Sequence, residues 1–226
     1  MPGSEQINLR PAEAVAVVAE RAKTLAADPQ HRIAIGLAGG PGVGKSTIAI
    51  EVVAALNAAS PGSAAYVPMD GFHMKHQKLG RLGTVHEKGM PHTFEGAAFA
   101  AFLAALKTAT GQVSGPGYSR DIEDTIDNAF SVAPEARILV AEGNYLLLDQ
   151  APWDAVKPLL DLSVFIHVDR DKVFARLMRR HGEALGGGFS AQRNLEHVNR
   201  VDLANFDLVE ASAGRADLRI DIISDT

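Results

Sequence analysis

The run Gly39-Gly40-Pro41-Gly42-Val43-Gly44-Lys45-Ser46 constrains this chain more than any other stretch. It satisfies the pattern G-x-x-x-x-G-K-[ST], and its surroundings suit what that pattern does physically. The apolar residues Ile33 to Ala38 before it read as a buried strand. Gly40, Gly42 and Gly44 let backbone N–H groups turn inward onto an anion without side chains in the way. Ile48, Val52, Ala55 and Leu56 then recur at helical spacing from Lys45 to Ala59, before Ser60-Pro61-Gly62 stops the pattern. The positive end of that helix faces the same point as the loop. Strand, loop and helix together predict a seat for the phosphates of a nucleoside triphosphate. Lys45 is expected to reach the outer phosphates, Ser46 to ligate Mg²⁺ through its hydroxyl, and Thr47 to touch an inner phosphate.

Composition narrows the rest. A chain of 226 residues suits one α/β domain with its own core, here taken as residues 1–226. A formal net charge of −5 gives no support for broad nucleic-acid or acidic-membrane binding. Cysteine is absent, which excludes disulfides, thiolate metal sites and cysteine nucleophiles. Met1 to Arg10 is polar without the apolar core of a secretory signal, and no run approaches membrane-spanning length. A cytoplasmic protein is therefore expected. Its partners would be a small-molecule substrate and, as an assembly to look for, a second copy in a homodimer.

Along the chain, Val15, Val18, Ala22 and Leu25 mark a helix from Pro11 to Asp28 that covers the sheet from outside. Ala64 to Met69 is a strand ending at Asp70, and Pro68 assigns it to a sheet edge. The segment from Asp70 to Pro91 has no clear periodicity and is long for a connection. Thr93 is expected to cap a helix that buries Phe99, Phe102, Leu103 and Leu106. Gly115 to Arg120 opens a second loop that runs into acidic Asp121 to Asp124. Ile138 to Ala141 reads as a buried parallel strand with Glu142 at its carboxyl end. After a short helix near Trp153, Leu162 to Val168 is a further strand. Asp169 starts a basic helix with Arg176, Arg179 and Arg180; helix resumes over Ala191 to Leu203, and Leu218 to Ile223 is a last strand. Alternating strands and helices predict an α/β fold, a parallel sheet with helices on both faces and ligands at the carboxyl ends of its strands.

Phosphoryl transfer needs cradled phosphates, a metal, an oriented nucleophile and positive charge for the moving oxygens. Two strand-end carboxylates, Asp70 and Glu142, are available, one to take a hydroxyl proton and one to hold metal-bound water; the blander alternative for each is a helix cap or a surface acid. Arg176, Arg179, Arg180 and Arg193 flank Gly186 to Gly188, so residues 176–193 read as a helical, arginine-bearing lid, or more blandly as a solvated helix face. His73, like His76, His86 and His92, contacts substrate or solvent in preference to a metal. Tyr118 and Arg120 face the acceptor, or are incidental to a glycine-proline turn.

These pieces resemble the group of P-loop kinases that contains uridine kinase, pantothenate kinase and phosphoribulokinase. The resemblance rests on the loop, on Asp70-Gly71-Phe72-His73, and on Gly89-Met90-Pro91-His92-Thr93-Phe94-Glu95. It continues through Pro116-Gly117-Tyr118-Ser119-Arg120 and Glu142-Gly143-Asn144-Tyr145-Leu146-Leu147, with a similar C-terminal pattern at Asn205 and Ala216-Asp217. It implies the P-loop NTPase fold and an ATP- and Mg²⁺-dependent kinase acting on an alcohol group. Asp70 would be the general base, Glu142 the acid near magnesium, and His73, Tyr118, Arg120 and Tyr145 would lie around the substrate. Arg120 stands where the pantothenate kinases of the group have a histidine, and the histidine pattern of uridine kinase is missing. The chain is thus most similar to the fructokinase-type or nucleoside-kinase-like bacterial members. Asn205 and Ala213 to Asp217 are the segment offered for the adenine. A nucleotide switch of the GTPase type is disfavoured because no Asn-Lys-x-Asp segment occurs, while a regulatory module or standalone ATPase stays open on the loop alone.

Overall fold

The structure, a computed structural model, describes residues 5–28, 31–184 and 191–223. Strand β1 (Glu5–Leu9) leads into α1 (Pro11–Leu25), whose first turn is closed by the Arg10 N–H donating to Glu13 Oε2 at 2.8 Å with Pro11 at the first helical position. The order continues as β2 (Ile33–Ala38), α2 (Lys45–Ala59), β3 (Ala64–Pro68), α3 (His76–Leu82) and α4 (Gly96–Thr108). Then come β4 (Val113–Ser119), β5 (Asp124–Val132), β6 (Ile138–Gly143) and β7 (Leu162–His167). The last elements are α5 (Arg170–Ala184), α6 (Ala191–His197), a π turn (Val198–Asp202), α7 (Leu203–Glu210) and β8 (Leu218–Ile222).

Six strands form one all-parallel sheet in the order β1-β8-β7-β2-β6-β3. Its central strands are apolar on both sides because both sides are covered. Ile35, Leu37, Val140, Val164 and Ile166 face a core shared with Val18 of α1, Val52 and Leu56 of α2, and Phe206 of α7. Ala34, Leu139, Ala141 and Phe165 face the other core, with Phe99 and Leu103 of α4, Tyr145 and Trp153. β3 is the edge strand that Pro68 required. The carboxyl ends of β2, β3, β6 and β7 gather the glycine loop, Asp70, Glu142 and the start of α5 at one end of the sheet.

The structure departs from or adds to the sequence reading at five points. Residues 5–9, polar at Glu5, Gln6 and Asn8, form a strand because β8 offers a free parallel edge, register Glu5 opposite Leu218. The segment after Asp70 contains α3 and several 3₁₀ turns. The second loop is the antiparallel hairpin of β4 and β5, irregular between Gly115 and Gly117, so strands and helices do not alternate throughout. Thr93 is not a helix cap: its hydroxyl donates to the Met90 carbonyl at 2.7 Å and accepts from the Gly89 N–H, closing a turn ahead of α4. Helix also extends beyond Leu203, to Glu210. Of the expected lid, 185–190 and the Arg193 side chain lie outside the described residues. Among the described residues, no helix is long and apolar enough to cross a membrane.

Candidate active site

The loop between β2 and α2 takes the backbone that its glycines permit. Gly42 and Gly44 have φ of 79° and 92°, the left-handed region where a side chain would strain the chain. Gly44 immediately precedes the first turn of α2, which carries Lys45, Ser46 and the exposed Thr47. Arg176 of α5 reaches back to the loop, its Nη1 donating to the Gly42 and Val43 carbonyls at 3.4 Å each.

A buried carboxylate faces the start of α2. Glu142, 3% exposed, accepts a hydrogen bond from the Tyr66 hydroxyl at 2.8 Å and lies 3.4 Å from Lys45 Nζ. Register explains the meeting: Tyr66 pairs with Val140 and Pro68 with Glu142, so alternate residues of β3 and β6 share the face that α2 covers. Burial pushes the Glu142 carboxyl above the usual carboxylate range and nearby Asp70 adds to this, against the pull of Lys45, Tyr66 and Ser46. Burial, then the Glu142 charge, likewise raises the Tyr66 phenol. The oxygen set of Ser46 hydroxyl and Glu142 carboxylate is of the hard kind that suits Mg²⁺.

Asp70 lies in the 3₁₀ turn Met69–Phe72 directly after β3. Its charge acts on Glu142, Tyr66, Tyr118, Tyr145 and Arg180. Gly71 lets the hairpin close on this turn, since a Cβ there would collide with the Pro116 carbonyl. His73 stacks on Phe94 with ring centroids 3.8 Å apart, and Tyr118 lies against it at 4.8 Å. Burial, helped by the Lys88 charge, takes the His73 imidazole down to about 3, so it is neutral at ordinary pH; its Nδ1 is buried and has no hydrogen-bond partner. Burial first, then Glu123 and Asp70, push the Tyr118 phenol up to about 12. Lys88 lies 5.2 Å over the Tyr118 ring. Arg120 is exposed at the hairpin turn. Arg180 is half-buried, with Asp202, Arg120 and Asp70 around it, and desolvation lowers its guanidinium below the ordinary value.

The structure brings the loop, Lys45, Ser46, Glu142, Asp70, His73, Tyr118 and Arg180 to one end of the sheet, and departs from expectation at three positions. Tyr145 is wholly buried against Phe94 and Trp153, and its hydroxyl donates to the Gly89 carbonyl, so it holds the 89–93 turn and has no face for a substrate. Asn205, expected at the adenine, is buried and donates one N–H to that same carbonyl at 3.0 Å. Asp217 precedes β8, at the amino end of the parallel sheet and away from the loop, where Lys157 and Ser163 hold it. Tyr66 and Lys88 were missed. Two-residue alternation in β3 could have flagged Tyr66 once the β3–β6 register was known; no signal marks Lys88.

A parallel sheet with this loop, a lysine at the first helical turn and a carboxylate at the adjacent strand end defines a P-loop kinase, an ATP-dependent enzyme acting on small molecules. The chain belongs to the phosphoribulokinase / uridine kinase family, whose model matches residues 34–226. It is 32% identical over 197 residues to a provisionally assigned uridine kinase of Schizosaccharomyces pombe, covering 84% of this chain and 83% of that one. A pantothenate kinase of Rhodopseudomonas palustris is 35% identical over 142 residues, 60% of this chain but 45% of its own length. Among solved structures, a provisionally assigned fructose transport system kinase from Silicibacter sp. TM1040 superposes with a TM-score of 0.80 at 34% identity, over 91% of this chain and 98% of that one.

Proposed function

We propose that this kinase transfers the terminal phosphoryl group of ATP to an alcohol group of a sugar. The observation that supports the transfer chemistry is that Asp70 follows the end of β3 beside the strand end where Glu142 meets Lys45. In this reading the acceptor's hydroxyl oxygen forms a bond to the terminal phosphorus as the bond to the bridging oxygen breaks, and Asp70 takes the hydroxyl proton. Lys45 and the N–H groups of Gly40 and of residues 42–47 hold the phosphates, with Thr47 at an inner one. Ser46 and Glu142 would hold magnesium, which neutralises charge on the outer phosphates when bound. Arg180, and Arg176 from the loop side, supply positive charge for the moving oxygens. His73, neutral with its Nδ1 unpartnered, and Tyr118 and Arg120 present the acceptor's hydroxyls to Asp70.

Likeness to the Silicibacter protein, at 34% identity over nearly its whole length, supports a sugar acceptor. A nucleoside acceptor is the second reading, favoured by the S. pombe relative. ADP release with ATP and Mg²⁺ should be slow alone and rise when the right acceptor is added. Screening D-fructose, other sugars, uridine, cytidine and pantothenate decides between the readings: acceleration by a sugar alone is expected, and acceleration by uridine or cytidine alone would overturn the sugar.

A further inference from the structure

Behind Arg180 lies a second group of ligating side chains that the transfer chemistry does not use. His181 of α5, His197 at the end of α6 and Asp202 at the end of the π turn place one ligating atom each within 4.8 Å of one another. His181 Nε2 is already 2.8 Å from Asp202 Oδ2, and the His181 and His197 rings meet edge to face at 5.1 Å. Asp202 is buried, His181 partly so, and His197 opens to solvent.

The backbone is built for this meeting. His197 and Asp202 are five residues apart, and in a regular α-helix that spacing would turn them roughly 140° away from each other. The π turn over Val198–Asp202 has the i→i+5 repeat, which brings residues five apart back to nearly one face. Such turns cost helix regularity and recur at functional sites. Here its effect is to aim His197 and Asp202 together at His181, across from a different helix.

We propose that His181, His197 and Asp202 form a binding site for a transition-metal dication of the zinc type, clamping α5 to the π turn. Two imidazoles and one carboxylate are a donor set that zinc takes, with a water completing the tetrahedron on the open side of His197. Tetrahedral bonds of about 2.1 Å put ligand atoms roughly 3.4 Å apart. One pair lies 2.8 Å apart and all three atoms lie within 4.8 Å of one another, so side-chain rotations on that scale close the site. Asp202 and Glu123 contribute negative charge around His197, opposed by Arg180. The clamp would fix the helix that carries Arg180, the arginine on which the Asp70 charge acts. This site is separate from Ser46 and Glu142 and stands whatever the acceptor proves to be.

The test uses the untagged full chain, freed of metal by a chelator, without nucleotide, and titrated with Co²⁺. One equivalent should bind with the visible bands of tetrahedral Co²⁺, and Zn²⁺ should displace it. His197→Ala, at an exposed position that leaves the core alone, should weaken binding at least about tenfold, and His181→Ala likewise. His76→Ala, on an exposed histidine elsewhere, should bind as the parent does. Zn²⁺ should also raise the Tm of the parent and not of His197→Ala. Absence of stoichiometric Co²⁺ binding, or binding unchanged in both His197→Ala and His181→Ala, would overturn the site. So would equal loss in His76→Ala.

Discussion

At the scale of single residues, Glu142 poses the sharpest electrostatic problem. A carboxylate at 3% exposure is tolerable as an anion only if its oxygens are partnered, and Tyr66, Lys45 and Ser46 supply the partners. Tyr66→Phe removes one donor and leaves the rest of the site in place. It should lower stability by roughly 1–3 kcal/mol, read from urea unfolding, because a buried acceptor loses its bond. It should also raise the Mg²⁺ concentration needed for half-maximal turnover. Asp70 is a different case, half-buried just beyond a strand end. Asp70→Asn should cut kcat by about 10²–10⁴-fold while ATP affinity, measured calorimetrically, stays nearly constant. A mutant that kept most of its turnover would remove Asp70 from the base role.

At the scale of elements, the glycine loop and its flanking strand and helix were legible from sequence because backbone chemistry and periodicity agree there. Gly42 and Gly44 need φ that other residues avoid, and Ile48, Val52 and Leu56 repeat on one face. Strands β6 and β7 were legible for a related reason, since both faces are buried and the residues are apolar without interruption. The hairpin was not. Its strands carry Ser114, Gly115, Pro116, Asp127 and Asn128, with Asn128 at φ 54°, so no two-residue alternation survives to be read. What fixes β4 is its approach to the Asp70 turn, a contact between segments far apart in sequence. Tyr145 misled for a kindred reason: a motif names a residue's neighbours in the chain, while packing against Phe94 and Trp153 decides which way it points. Gly71 is where the hairpin's position can be tested. Gly71→Ala should cost roughly 1–3 kcal/mol by forcing the Pro116 backbone away. Because Tyr118 moves with that strand, KM for the acceptor should rise while KM for ATP changes little, a split that steady-state kinetics resolves.

At the scale of the whole molecule, the two ends of the sheet do different work. The carboxyl end gathers the loop and the strand-end carboxylates; the amino end is tied by polar contacts such as those of Asp217. Burial alone would raise the Asp217 carboxyl, but hydrogen bonds from Lys157 and from Ser163 hold it below the usual range. A depressed carboxylate stabilises the fold above its unfolded value, near pH 4, and that contribution is lost as pH falls through the lower folded value. Asp217→Asn should therefore melt earlier than the parent at neutral pH, and the two Tm values should converge as the medium is acidified below about pH 4. The strand order carries a further consequence. Since among the described residues β1 pairs with β8 alone, and β8 also completes the flank of β7, β1 has no partner until a strand made about 200 residues later arrives. During synthesis, residues 5–9 must wait as a bare ribbon while the interior of the sheet consolidates, so the outer rim should be the slowest part to acquire protection and the part most open to capture by chaperones.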